Sequence, residues 1–209
     1  MSRCVIVSAG PFQDPAALAG LLLPDDYVIV ADGGWQLAAL LGVKPDLVVG
    51  DFDSMVVPTI PDDVKVINLP VKKDVTDTAK ALEIGYEEGF RDFLLLGCTG
   101  GRLDHFQAAL IDAIAYVHQD CSVVLADEKN EIYPLKPGHY LFQAREGEKV
   151  SFFAHKDAVT GLFATDMAYD VTDMTLSPDS SLCVSNEALE DSFCVSFRTG
   201  TLLMYLSND

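Results

Sequence analysis

Positive charge is scarce in this chain: 14 Lys and Arg stand against 32 Asp and Glu over 209 residues, a formal net charge of -18. A nucleic-acid backbone would be repelled by that field, so no nucleic-acid partner is expected. A small anionic substrate is still allowed, because a divalent cation held by carboxylates presents positive charge to phosphate oxygens. Long apolar runs are missing as well. No stretch approaches the roughly 20 residues of a membrane span, and the opening residues carry no basic flank leading into one, so no membrane partner is expected. The five cysteines, Cys4, Cys98, Cys121, Cys183 and Cys194, are odd in number, form no C-x-x-C pair and sit mostly in apolar runs. They read as buried thiols in a reducing compartment, the cytoplasm.

Several kinds of chemistry also lack their usual residues. His105, His118, His139 and His155 are scattered without zinc-ligand spacing, and His105 is expected to satisfy a local hydrogen bond. There is no G-x-S-x-G nucleophile elbow and no Cys/His pair at a recognisable spacing, which leaves covalent catalysis unsupported. Neither the G-x-x-x-x-G-K-[ST] phosphate loop nor the G-x-G-x-x-G dinucleotide pattern occurs. The sole tryptophan, Trp35, is expected to pack rather than to stack on a base.

What is present is a core-forming composition, 49% hydrophobic, in two patterns. Up to about Lys129, short apolar runs at Cys4 to Ser8, Tyr27 to Ala31, Leu47 to Gly50, Val64 to Leu69, Phe93 to Gly97 and Ser122 to Ala126 alternate with helical segments. Near-continuous apolar strands point to a parallel sheet covered on both faces, an α/β class with a Rossmann-like N-terminal domain over residues 1–129. Helices are predicted from Pro15 to about Leu22, from Trp35 to Leu41, from about Thr76 to Glu88 and from Leu103 to His118. The last carries Leu103, Phe106, Leu110, Ile114 and Val117 on one stripe. Residues 130–209 switch to short runs between turn residues. Strands are predicted at Val150 to Ala154, Leu182 to Val184, Phe193 to Phe197 and Leu202 to Leu206, making an all-β domain.

Acidic residues gather at predicted strand ends, where open α/β sheets bind ligands. In Gly50-Asp51-Phe52-Asp53-Ser54, extended-chain alternation sends Asp51 and Asp53 to one side, so both carboxylates can meet one hard cation, while Gly50 leaves room for a ligand. A D-x-D loop alone is more often an Asx turn. Repetition raises its weight: Asp32-Gly33-Gly34 and Lys73-Asp74-Val75-Thr76-Asp77 follow two other strands. Asp74 is expected to cap the next helix, with Thr76 the alternative cap. Asp77 either favours the positive helix terminus or serves the site. Lys72, Lys73 and Lys80 collect around it, which suits phosphate binding. A glycine-rich turn, Thr99-Gly100-Gly101-Arg102-Leu103-Asp104-His105, opens the long fourth helix. It reads either as a tight strand-to-helix turn or as a phosphate loop. Arg102 beside Asp104 favours the latter, because a guanidinium forks onto phosphate oxygens and a carboxylate can accept a hydroxyl proton.

Taken together, Asp32-Gly33-Gly34, Gly50-Asp51-Phe52-Asp53-Ser54, Asp74-x-Thr76-Asp77-x-x-Lys80 and Thr99-Gly100-Gly101-Arg102-x-Asp104-His105 resemble the thiamine pyrophosphokinase family in order and spacing. Val184-Ser185-Asn186-Glu187 looks like that family's thiamine-domain signature. The resemblance implies ATP and thiamine as substrates, Mg²⁺ as cofactor, a C-terminal β-sandwich for thiamine, and a homodimer with the active site at the subunit interface. It implies Asp51, Asp53 and Asp77 as magnesium ligands, with Asp32 and Asp104 completing the acidic catalytic cluster. Thr99, Gly100, Gly101 and Arg102, together with Lys73, Thr76 and Lys80, would meet the nucleotide. Tyr169, Ser185 and Asn186 would lie near thiamine. One departure stands out: where the family usually has Gly-Leu-x-aromatic, this chain has Asp166-Met167-Ala168-Tyr169.

The expected reaction is in-line attack of the thiamine hydroxyl on the β-phosphorus of ATP with release of AMP, catalysed by position and charge. Asp77 and Asp104 are both candidates to accept the proton. The competing readings are a metal-dependent nucleotide phosphohydrolase, which would activate water instead of the alcohol, and a non-catalytic thiamine or nucleotide sensor.

Overall fold

The computed structural model describes residues 2–51, 60–70 and 74–208, and the chain divides into two units, Met1–Glu128 and Lys129–Asp209. The fold is α/β with mixed pairing. In the first unit β1 (Cys4–Val7), β2 (Tyr27–Ala31), β3 (Leu47–Gly50), β4 (Lys65–Asn68), β5 (Asp92–Leu96) and β6 (Ser122–Ala126) pair in parallel in the order β4-β3-β2-β1-β5-β6. β1 and β3 are buried throughout, as strands covered on both faces must be. β4 departs from that pattern with mostly exposed residues. Among the described residues it is an edge strand, and its Lys65 and Asn68 suit an edge.

Among the described residues four helices lie between these strands. α1 (Pro15–Ala19) starts as its Asp-Pro sequence dictates, Asp14 accepting from Ala16 N at 3.0 Å, but it stops at Ala19 instead of reaching Leu22 because Gly20 closes it. A 3-10 turn (Asp32–Gly34) leads into α2 (Trp35–Leu41), and Trp35 packs against the apolar core of this unit. α3 runs Asp77–Glu87 and α4 runs Leu103–Val117. The buried stripe of α4 is Ala109, Leu110, Ala113, Ile114 and Val117. Leu103 was expected on that stripe but opens the helix 73% exposed, before the face turned to the sheet begins. Among the described residues no helix is long and apolar enough to cross a membrane.

The second unit pairs antiparallel throughout: β7 (Asn130–Leu135), β8 (Gly138–Gln143), β9 (Lys149–Ala164), β10 (Val171–Leu176), β11 (Asn186–Glu187), β12 (Ser192–Phe197) and β13 (Thr199–Ser207). β9 is its spine. Residues Lys149 to His155 pair with β13, and Val159 to Ala164 pair with β10, with Phe163 and Ala164 also meeting β12. Between and within these stretches Lys156 and Gly161 take left-handed backbone (φ 62° and 63°), letting one strand change partners. Phe152, Phe193, Val195, Leu202 and Met204 fill the core, with Phe142 stacked on Phe193 at 5.6 Å between ring centres.

The expected strand Leu182 to Val184 is a turn. Only Cys183 points inward there, its carbonyl accepting from Phe152 N at 2.9 Å, while Leu182 and Val184 are exposed. The ladder forms one step later, at Asn186. Cys194 also departs from the reading of buried thiols. It alternates with buried Phe193 and Val195 and therefore faces out, while Cys4, Cys98, Cys121 and Cys183 are buried.

Candidate functional site

β1 lies between β2 and β5, so the order of strands reverses at its edge with β5. Doubly wound sheets open a ligand crevice beyond the carboxyl ends of the strands at such a point. A cleft of about 700 Å³ lies there, lined by the loop after β1 (Ser8, Ala9, Gly10, Pro11), the end of β2 and the residue after it (Ala31, Asp32), the loop after β5 and the first turn of α4 (Gly97, Cys98, Gly100, Gly101, Arg102, His105), and the lead into α3 with its first residues (Asp74 to Thr78). That volume is typical of small-molecule sites.

Two glycines shape the crevice. Gly97 has φ 66°, and a Cβ on it would stand 2.3 Å from Ser8 O; its absence lets the β1 and β5 loops close on each other. Backbone bonds from Ser8 N to Leu96 O (2.8 Å) and from Gly10 N to Gly97 O (2.6 Å) continue that contact past the strands. At Gly50 a Cβ would meet Asp32 Cα at 3.0 Å, so the glycine admits the Asp32 loop of the neighbouring strand. Asp32 itself sits at φ 42° at the head of the 3-10 turn.

Of the acidic residues singled out from the sequence, Asp32 and Asp77 line the cleft. Asp51 follows β3 and is not among the lining residues, and Asp53 lies outside the described residues, as does Lys73. Among the described residues no three Asp, Glu, His or Cys side chains gather closely enough to hold one metal ion. The donors at hand are carboxylates, which suit a hard cation. Magnesium commonly takes only one or two of them and completes its shell with water and phosphate oxygens, so the residues present fit it.

The helix cap is settled in favour of Thr76, whose Oγ1 accepts from Ala79 N at 3.0 Å, whereas Asp74 lines the cleft. Lys80 pairs with Glu83 at 2.5 Å on the surface of α3 and is not a lining residue. Thr99 is buried behind the loop, while Gly100, Gly101 and Arg102 face the cleft.

Arg102 and Asp104 form a two-point pair, Nε to Oδ1 at 3.1 Å and a terminal guanidinium nitrogen to Oδ2 at 2.6 Å. Both side chains are mostly exposed. The guanidinium holds the Asp104 carboxyl below its ordinary range, chiefly through the hydrogen bonds, and Asp104 is not a lining residue. Cys98 lines the cleft without being a nucleophile, because burial pushes its thiol up to about 12 and keeps it protonated.

In the second unit Tyr169, Ser185 and Asn186 come together. Buried Asn186 accepts from Tyr169 N and Glu187 N, each at 2.9 Å, and donates Nδ2 to Tyr169 O at 2.9 Å. Its amide holds the backbone of Tyr169, a residue that is 71% exposed. Ser185 takes left-handed backbone (φ 57°), its N donating to Ser151 Oγ at 3.0 Å. The unusual Asp166 has φ 56°, the conformation a glycine adopts freely and aspartate tolerates better than most residues, so the backbone survives the change. Sequence reasoning passed over Ser8, Gly10, Pro11, Val75 and Thr78 as lining residues. The signal available was Ser-Ala-Gly-Pro directly after an apolar strand, a loop with no charged residue to draw notice.

Comparison with known proteins agrees with both halves of this description. The family model for the catalytic domain of thiamin pyrophosphokinase matches residues 19–125, and that for its vitamin B1 binding domain matches residues 135–202. The chain is 28% identical over 214 residues to a thiamine pyrophosphokinase of Bacillus subtilis, with all of both chains covered. A crystal structure of thiamine pyrophosphokinase from Bacillus subtilis superposes with a TM-score of 0.89 at 26% identity, covering 100% of each chain. One of thiamin pyrophosphokinase from Geobacillus thermodenitrificans gives 0.85 at 28% identity, covering 99% of this chain and 98% of that one. With both family domains matched in order and the crevice built at the strand ends that carry the motifs, the chain belongs to the thiamin pyrophosphokinase family.

Proposed function

We propose that this protein transfers a diphosphate group from ATP to the hydroxyl of thiamine, giving thiamine diphosphate and AMP. The observation that carries the reading is the switch-point cleft, where Asp32, Asp77, the Gly100-Gly101 turn and Arg102 converge from separate loops. A nucleotide triphosphate fits a cleft of that size, with its phosphates toward the start of α4. Asp77 together with the Asp51 and Asp53 carboxylates would hold magnesium, which when bound would supply positive charge to offset that of the phosphates.

Arg102 is exposed, and among the described residues its ion-pair partner is the exposed carboxylate of Asp104, so exchanging Asp104 for a phosphate costs little. The thiamine hydroxyl attacks the β-phosphorus in line, and AMP leaves with the α-phosphate. Asp77, a lining residue, is better placed than Asp104 to take the hydroxyl proton. In the second unit the exposed ring of Tyr169 offers a flat apolar face to the thiamine ring, beside Ser185.

The same reading carries the finer architecture of a Rossmann-like catalytic domain followed by a β-sandwich, supported by the parallel order of β1 to β6 and by the change of partners along β9. It also carries a homodimer with sites at the subunit interface, supported by the exposed Leu182, Val184 and Leu189. The five free cysteines favour the cytoplasm.

The test is AMP release from ATP and Mg²⁺ with and without thiamine, with products identified by mass spectrometry. Thiamine-dependent AMP together with thiamine diphosphate is expected. Nucleotide cleavage without thiamine would replace the reading by a phosphohydrolase, and binding without turnover would replace it by a sensor.

A further inference from the structure

Ser8 immediately follows β1 and is only 5% exposed, yet it lines the cleft. Its Oγ lies 2.8 Å from Oγ1 of Thr78, a lining residue in the first turn of α3 that is 70 positions away in the chain. The bond ties together two walls of the crevice: the β1 loop with Gly10 and Pro11, and the helix start with Thr76 and Asp77. Each wall is also anchored separately, Ser8 N on Leu96 O at 2.8 Å and the helix start by the Thr76 cap.

Two hydroxyls bring two protons, and the bond between them uses one. The other is left for a third acceptor in the cleft, water when the site is empty and a ligand oxygen when it is filled. The electrostatic setting gives that proton a use. Arg102 is the one Lys or Arg among the described residues that line the cleft, in a chain with few cations. A triphosphate bound there can draw on neutral donors beside Arg102 and magnesium.

We propose that Ser8 and Thr78 form a hydroxyl clamp that positions the first turn of α3 against the end of β1 and gives its remaining proton to a phosphate oxygen of the nucleotide. The proposal rests on the ATP reading above. The clamp is made before the reaction and kept through it, so it stabilises bound nucleotide and transition state alike. Its loss therefore falls on ATP affinity and KM rather than on kcat.

The experiment uses the full chain, with the ATP dissociation constant measured by calorimetry in EDTA and AMP formation followed with Mg²⁺ and thiamine. Ser8→Ala and Thr78→Val should each weaken ATP binding and raise the ATP KM by about tenfold, the worth of one hydrogen bond to a charged acceptor. The kcat should stay within about twofold and the thiamine KM should not move. Thr78→Ser should restore affinity, and Ser8→Ala combined with Thr78→Val should be no weaker than either alone, because both remove the same bond.

Unchanged ATP affinity in Ser8→Ala, or a Thr78→Ser variant as weak as Thr78→Val, would overturn the clamp. If Thr78→Val does not fold by circular dichroism, Ser8→Ala and Thr78→Ser decide the matter between them. Thiamine-dependent AMP with unaltered affinity in Ser8→Ala removes the clamp and leaves the reaction standing. Tight ATP binding by the wild type without thiamine-dependent AMP removes the reaction and leaves the clamp.

Discussion

Two polar clusters in this molecule look alike on paper and differ in what they can do. At the start of α4, Arg102 and Asp104 pair in the open, with 72% and 65% of their side chains exposed. Beside β11, Asn186 is 4% exposed and its amide is engaged with the backbone of Tyr169 and Glu187. An exposed ion pair exchanges readily, because water and ligands offer equivalent partners. A buried amide bonded to main chain cannot be released without stranding the groups it satisfies. Residues equally good as ligands by type therefore divide into one that can exchange its partner and one that holds its own backbone.

The largest effect expected from breaking this contrast is in Asn186→Ala, which strands the N–H and C=O of Tyr169 and the N–H of Glu187. A loss of about 2–3 kcal/mol in urea unfolding is predicted. Arg102→Ala should leave the unfolding midpoint where it was while weakening ATP binding. A comparable loss of stability there would show that the exposed pair is structural after all.

Thr76 tests the middle of the range, since it lines the cleft and also caps α3. Thr76→Ala should cost about 1 kcal/mol, and Thr76→Ser should recover most of it by the same thermal or urea measurement. Smaller still is Asp166→Gly. Relief of the left-handed backbone is partly offset by the greater freedom of glycine in the unfolded chain, so stability should move by less than about 1 kcal/mol. A large loss would mean that the Asp166 side chain does more than occupy a glycine's place.

The smallest effect is electrostatic. Asp104 has a folded value below its ordinary one, so its contribution to stability is fully present above the ordinary carboxylate value near ~3.9 and is lost as pH falls through the lower folded value. Carboxyl titration by NMR should show the Asp104 midpoint rising in Arg102→Ala. A midpoint that does not move would rule out Arg102 as the cause.

Much of the first unit was readable because each of its parts is local. Pro15 after Asp14, Gly42 at φ 68° closing α2, and the apolar runs of β1, β2 and β3 each depend on neighbours a few residues away. The second unit was less readable. β9 changes partners midway, and its pattern is neither that of one half-buried strand nor that of a turn. Leu182 to Val184 is a short apolar run such as strands have, but the ladder that would make it one begins at Asn186. Asp74 and Thr76 were both plausible caps, and only the geometry at Ala79 N separated them.

The sequence by itself determined the α/β class, the order of strands and helices in the first unit, and the set of acidic and glycine-rich loops that marks the family. Composition, periodicity and turn chemistry act over a few residues, so those features follow from the chain alone. Tertiary structure alone decided which loops share one crevice, that Lys80 stays on a helix surface, that Asn186 serves the backbone, and that Ser8 meets Thr78 across 70 positions. The shared crevice and the Ser8–Thr78 contact depend on parallel strands meeting through long crossovers, and no local pattern carries the register that brings such distant side chains together.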